Sequence, residues 1–299
     1  MTLPKISIGE QAFKILNVAF FTVITLICIF PFYYLFINTI SNNDLSSRGL
    51  ITFFPKGIHF TNYLQVLKLP GLGNAALVSI ARTVIGTALT IVGSALLGFV
   101  FTQKGMWGRK FWYRFVVITM YFNAGIIPWF IIMMNLKLTN NFWAYILPFI
   151  IQPFFVILVK TYIESLPASI QESAEIDGAG YLVIFFQIIL PLIKPILATV
   201  AVFAAVWQWN YFTDTLFLMT DSKYYTLQFI LYRYTNVSSA LARILQSSQG
   251  SAIADIMNMQ TATSVRMTVA MIIVTPILFV YPFCQKYFVK GMMVGAIKG

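Results

Sequence analysis

The sequence predicts an all-α integral membrane protein with six transmembrane helices and short helices between them on the cytoplasmic side. Two observations carry this reading. Of 299 residues 59% are hydrophobic and only 10% charged, against about 25% charged in a soluble domain, so much of the surface must face lipid. The apolar residues also gather into runs of roughly 20, the length a helix needs to cross the hydrocarbon core. With 28 Phe, 15 Tyr and 6 Trp there is more apolar area than one soluble core could cover.

The elements follow in order. Residues 1–16, with Lys5, Glu10 and Lys14, form an N-terminal segment expected in the cytoplasm. The run Ile15 to Ile40 is too long for a signal-peptide core and no small-residue cleavage site closes it, so it reads as an anchor that stays. The body of the chain, 17–288, holds spans near Asn17 to Asn38, Ala75 to Phe101, Phe115 to Met134, Phe142 to Val159, Ile196 to Thr215 and Met267 to Phe288. Residues 289–299 form a C-terminal tail. The outer segment 211–265 exceeds 50 residues, a length that usually carries structure or function. Apolar recurrence at Leu241, Ile244, Leu245, Ile253, Ile256 and Met257 predicts one or two extramembrane helices there.

An even number of spans puts both termini on one side, and the basic residues choose it. The excess of 20 Lys and Arg over 9 Asp and Glu, a net +11, sets orientation in a membrane chain and is no nucleic-acid footprint. With termini inside, 11 basic residues fall on the cytoplasmic side and 8 outside. The short inner loop with Lys104, Arg109, Lys110 and Arg114 counts most, so cytoplasmic termini are expected. Cys28 and Cys284 lie in apolar runs as small hydrophobes, and one histidine, His59, leaves no metal site to build. Pro31, Pro128, Pro148, Pro153, Pro276 and Pro282 interrupt apolar runs. They mark either kinks or broken helices that line a path. Arg82 within a span should face the protein interior, where Asp214 or an acidic substrate would meet it.

The loop 160–195 is the most informative stretch, holding four of the nine acids. Ser169 with Glu172 reads as a capping box, Pro167 as a helix start and Gly178 as a left-handed helix end. A short helix over Ile170 to Asp177 follows, with Ile170, Ala174 and Asp177 on one face, where small Ala174 would let another surface come close. A second helix over Tyr181 to Ile189 would run until Pro191 and Pro195 stop it. Clustered carboxylates could also serve acid/base or metal chemistry, but no His, Cys or nucleophile accompanies them.

Glu172, Ala174, Gly178, Ile188, Leu190 and Pro191 stand at the spacing E-x-A-x3-G-x9-I-x-L-P. This resembles the EAA loop in the membrane subunits of ATP-binding cassette importers. Asp177-Gly178-Ala179, Leu190-Pro191 with Lys194-Pro195, Trp209-Asn210, Asn62-Tyr63 and the tail Tyr287 to Gly291 with Gly295 to Gly299 resemble the carbohydrate permeases similar to the second membrane subunit of the maltose transporter. The long outer segment resembles permeases for oligosaccharides and uronate-containing polysaccharide fragments. Ser173 stands where that family more often has Ala, and both are small.

The resemblance implies a type I importer fold and a transporter subunit, not an enzyme. It also implies a second homologous permease, two ATPase subunits and an extracellular or periplasmic solute-binding protein. No Walker loop occurs in this chain. No cofactor is therefore expected here, with ATP and Mg bound by the ATPase. Glu172, Ser173, Ala174, Asp177 and Gly178 would couple to that ATPase, with Gly178 as a hinge. Sugar rings bind by stacking and by hydrogen bonds to hydroxyls, which makes Asn123, Trp129, Trp207, Trp209, Asn210 and Tyr211 candidates for the path, although aromatics near span ends also form interfacial belts. The rival readings are an integral membrane enzyme acting on lipid-linked substrates and a membrane scaffold; neither explains the coupling pattern.

Overall fold

The computed structural model describes residues 8–236 and 262–296. The helices expected over 238–259 lie outside the described residues, as do Lys5, Arg243 and Lys298. Every regular element among the described residues is helical. Among the described residues three helices are long and apolar enough to span a bilayer alone, and three bent helix pairs raise the number to six if each counts as one span.

The chain forms two compact units, residues 1–69 with 233–274 and residues 70–232 with 275–299. In the first, α1 (Ile8–Thr39) is exposed from residue 9 to residue 33 and carries no charged residue from Ile15 onward, as a helix can be in lipid. Thr22 and Thr25 hide their hydroxyls by donating to the carbonyls of Val18 and Phe21. At its far end, α2 (Asn43–Ser47) and α3 (Thr61–Leu67) are pinned by buried amides. Asn62 donates to Thr39 O at 2.9 Å and to Asn43 Oδ1 at 2.8 Å, and the Tyr63 and Thr39 hydroxyls meet at 2.8 Å. The Asn62-Tyr63 pair is thus a clasp that orders the segment after α1.

The second unit is built on α4 (Leu72–Val100), which packs along α7 (Pro153–Glu164) and α11 (Lys194–Asn210). Its small residues face inward: Ser79, Gly86, Thr90, Ser94, Ala95 and Gly98 are buried, and small residues let membrane helices approach closely. A Cβ on Gly98 would lie 2.7 Å from Val159 Cγ1 and 3.2 Å from the Lys160 backbone nitrogen. Gly98→Leu should therefore prise α4 from α7, costing about 1–3 kcal/mol or more. The readout is a lower thermal midpoint of the detergent-solubilised protein, with Gly73→Ala, whose Cβ meets nothing within 4 Å, as the neutral control.

The run Phe115 to Met134 is not the single straight helix the sequence predicts. It divides into α5 (Arg109–Tyr121) and α6 (Ile126–Asn135), bent by 120°. Gly125 sits at φ 88, ψ 177, a region only glycine enters freely, and Asn123 Oδ1 accepts from its N–H at 2.9 Å. The prolines fall in two settings. Pro31, Pro276 and Pro282 lie inside continuous helices, α1 and α13 (Ala262–Ala296), whereas Pro128, Pro148 and Pro153 stand in the first turns of helical segments that follow breaks.

Candidate functional site

Two regions of the second unit gather the residues the sequence singles out. The first is the loop after α7. Helix α8 runs Ala168–Ile176 and starts two residues earlier than predicted. Pro167, at φ −58, takes the N-cap position with no side-chain cap, so Ser169 is already helical and the capping box with Glu172 does not form. Proline's fixed φ starts the helix before Ser169 can cap it. The far end is as expected. Gly178 has φ 78, its N–H donates to Glu175 O, and the Ala179 N–H donates to Ala174 O, the paired bonds of a Schellman ending.

Ala174 is only 7% exposed and packs against the cluster that includes Phe99, Ile163 and Phe185. Its small size seats α8 on its own bundle and does not admit a foreign surface, contrary to the expectation. Gln171 strengthens that seat, donating to Gln103 Oε1 at 2.8 Å in the turn just beyond α4. The free face carries Glu172, Ser173 and Asp177, all exposed, together with Ile176 at 86%. Ile176 was missed in the sequence; its signal was an isolated aliphatic residue between acids on a polar helix. The following helix starts at Tyr181 as expected, with α9 (Tyr181–Val183), but continues through a π segment, Ile184–Ile189, into α10 (Leu190–Leu192). Pro191 does not stop it: it lies in the single α turn Leu190–Leu192 that directly follows the π segment. The chain then bends by 77° into α11, with Pro195 in its first turn.

The second region is the far end of α11. Trp207 and Tyr211, one turn apart, stack with centroids 5.1 Å apart at 17°, and Phe149 closes on Tyr211 at 5.4 Å. Phe203, Trp207, Asn210 and Tyr211 line one open cavity of about 340 Å³. Phe203 and Trp207 also border a neighbouring one of about 270 Å³ that reaches Phe149, Gln152 and Gln208. Aromatic faces beside amides are what sugar rings need. Trp209 is not part of this group. It lines an apolar groove with Ile80, Val84 and Ile277, because two residues along a helix turn a side chain by about 200°. Nor do Asn123 and Trp129 join it: Asn123 braces the α5–α6 break, and Trp129 packs against a cluster around Met133 and Tyr145.

Behind the aromatics lies a buried ionic knot. Arg82, 1% exposed, donates from Nη2 to Asp214 Oδ2 at 2.8 Å and from Nη1 to Oδ1 at 3.2 Å. It also donates to Tyr211 O at 2.8 Å and to Gln208 Oε1 at 3.2 Å, with the Tyr145 ring 4.5 Å away. α11 ends at Asn210 and α12 (Thr213–Leu218) begins three residues later. Arg82 therefore binds both sides of that break and satisfies a carbonyl that the helix end leaves free. Of the two partners expected for Arg82, it is Asp214 that it meets. Outside the spans, the Lys223 backbone N–H and ammonium hold the exposed Asp221 carboxyl below its ordinary range.

Comparison with known proteins places this geometry. Residues 91–294 match the family described as binding-protein-dependent transport system inner membrane component. Protein LplC of Bacillus subtilis (strain 168) is 32% identical over 97% of this chain and 96% of its own length. The polygalacturonan/rhamnogalacturonan transport system permease protein YtcP of the same organism is 32% identical over 97% and 99%. A solved bacterial ABC transporter chain, from a system involved in the import of the acidic polysaccharide alginate, is 28% identical, superposes with a TM-score of 0.81 and covers 96% of this chain and 100% of its own. YtcP and the alginate-system chain are named as components of transport systems, and the rival reading as a membrane enzyme acting on lipid-linked substrates finds no support among these relatives. A matched family model over two thirds of the length, relatives that align along nearly the whole chain and the shared fold lead to one conclusion: the chain belongs to the binding-protein-dependent transport system inner membrane components.

Proposed function

We propose that this chain forms one half of the path of an ATP-binding cassette importer and that its cargo is an oligosaccharide or polysaccharide fragment. The observation that carries the cargo is the Phe149, Trp207 and Tyr211 group with Gln152 and Asn210 at its edge; the names of the relatives agree with it. A second permease supplies the other half, two ATPase subunits bind ATP and Mg, and a solute-binding protein delivers the sugar. Both termini and α8 lie on the cytoplasmic side of a bacterial plasma membrane.

On this reading the exposed face of α8, with Glu172, Ser173, Ile176 and Asp177, docks in a groove of one ATPase subunit. Ile176 enters as the apolar knob and Glu172 supplies a charged contact at the rim. Ala174 and the Gln171–Gln103 bond hold the helix to the bundle. Closure of the ATPase pair then moves α8 with the end of α4, and the spans rock between inward-open and outward-open states.

The test is ATP-driven uptake by the complete complex in vesicles, offered neutral and uronate-containing oligosaccharides. ATP-dependent accumulation of at least one class is expected, and accumulation of neither would overturn the reading. In the same assay Trp207→Ala should raise the half-saturating sugar concentration by about tenfold, the loss of one stacking face and its buried area. Trp207→Phe should recover most of it, and the subunit composition should be unchanged.

A further inference from the structure

Between Asp44 and Glu164 the sequence holds no acidic residue, and four cations crowd into Lys104 to Arg114 in the middle of that stretch. Orientation alone explains why such a loop is basic; it does not explain how the side chains are arranged. Arg109 is half-buried and donates to Thr102 O at 3.0 Å, tying the loop down. Lys104, Lys110 and Arg114 are exposed, and no ion pair is formed by them among the described residues.

Lys110 and Arg114 are four residues apart on α5 and share one stripe, their Cβ atoms about 6 Å apart. Beside them runs a second stripe of Phe111, Phe115 and Ile118, which are 65%, 52% and 63% exposed. The other side of α5 is already engaged: Tyr113 packs on Phe101 at 5.7 Å and takes the Lys160 ammonium over its ring at 4.5 Å. Glu164, the nearest acid along the sequence on that side, is paired with that same Lys160 at 2.6 Å. Trp107, 85% exposed just ahead of the helix, marks the level of a membrane interface.

We infer that this face of α5 binds an anionic phospholipid, its phosphate held between Lys104, Lys110 and Arg114 and one acyl chain lying along Phe111, Phe115 and Ile118. An acidic protein surface would answer the cations but not the aromatic stripe that continues beyond them. A neutral lipid would answer the stripe but not the cations. Only an anionic lipid matches both, in the order that the helix enters the bilayer.

The experiment uses the complex purified with its partner subunits, in which phosphatidylglycerol and phosphatidylcholine compete for the protein and bound lipid is counted by native mass spectrometry. The wild-type complex should prefer phosphatidylglycerol at low salt, and the preference should shrink as ionic strength rises. The variant K104Q/K110Q/R114Q should lose at least about tenfold of the preference with its subunits all present. If that variant does not insert, K110Q/R114Q, which leaves Lys104 and Arg109 to orient the span, decides in the same way. No preference in the wild type, or an equal preference in the variant, overturns the inference. So does loss of the ATPase subunits from the variant with lipid preference intact, which would assign the face to a protein partner.

Discussion

Asp214→Ala should remove most of this protein from the membrane. The substitution leaves the Arg82 guanidinium, 1% exposed, with only the neutral oxygens of Gln208 and Tyr211 and the Tyr145 ring to face. An unpaired buried charge of this kind costs about 3–5 kcal/mol, a large share of the stability of an ordinary domain. Arg82 also holds the break between α11 and α12 from both sides, so its partner's loss loosens the segment that carries Trp207 and Tyr211. The diagnostic is the double variant Arg82→Met/Asp214→Leu. Replacing a buried pair by apolar residues of similar size is often neutral, but here Tyr211 O would lose its donor, at about 1–3 kcal/mol. Abundance in the membrane and thermal midpoint should therefore rank wild type first, the double variant second and Asp214→Ala last. Equal abundance of Asp214→Ala and wild type would show that the knot contributes nothing.

That knot was half legible in the sequence. A lone arginine in an apolar run demands a partner because lipid offers none, and Asp214 was one of two named for it. What could not be read was the geometry: that the pair straddles a helix break, and that Gln208 and a backbone carbonyl complete it. The six apolar runs were legible because bilayer thickness fixes their length. The 120° bend inside the third was not, since Asn123 and Gly125 look like any polar interruption until φ at Gly125 is known. The division between Trp207 and Trp209 was available from helical periodicity alone, and so was Phe203, one turn before Trp207. Phe149 and Gln152 come from a different segment and could be placed only by the packing of α4, α7 and α11. For α8 the misreading was local. Ser169 is a good cap residue, but Pro167 had already committed the backbone.

Gly178→Val should separate ATP hydrolysis from uptake. The glycine holds φ 78 at the end of α8, and a Cβ built on it meets nothing within 4 Å, so the penalty for a side chain is one of backbone conformation, not of space. An L-residue pays about 1–2 kcal/mol in the left-handed region, more when β-branched. Asparagine enters that region far more readily. Ala179 N and Gly178 N make the two bonds that close the helix, and both depend on that conformation. If Gly178 serves as the joint through which α8 passes the motion of the ATPase to the bundle, sugar transported per ATP should rank Gly and Asn highest, Ala below and Val lowest, with the complex intact throughout. A side chain colliding with the ATPase would give another order, with Asn and Val, similar in volume, equally impaired. Uptake unchanged in Gly178→Val would remove the joint from the mechanism, and α8 would then have to act through its seat on α4 alone.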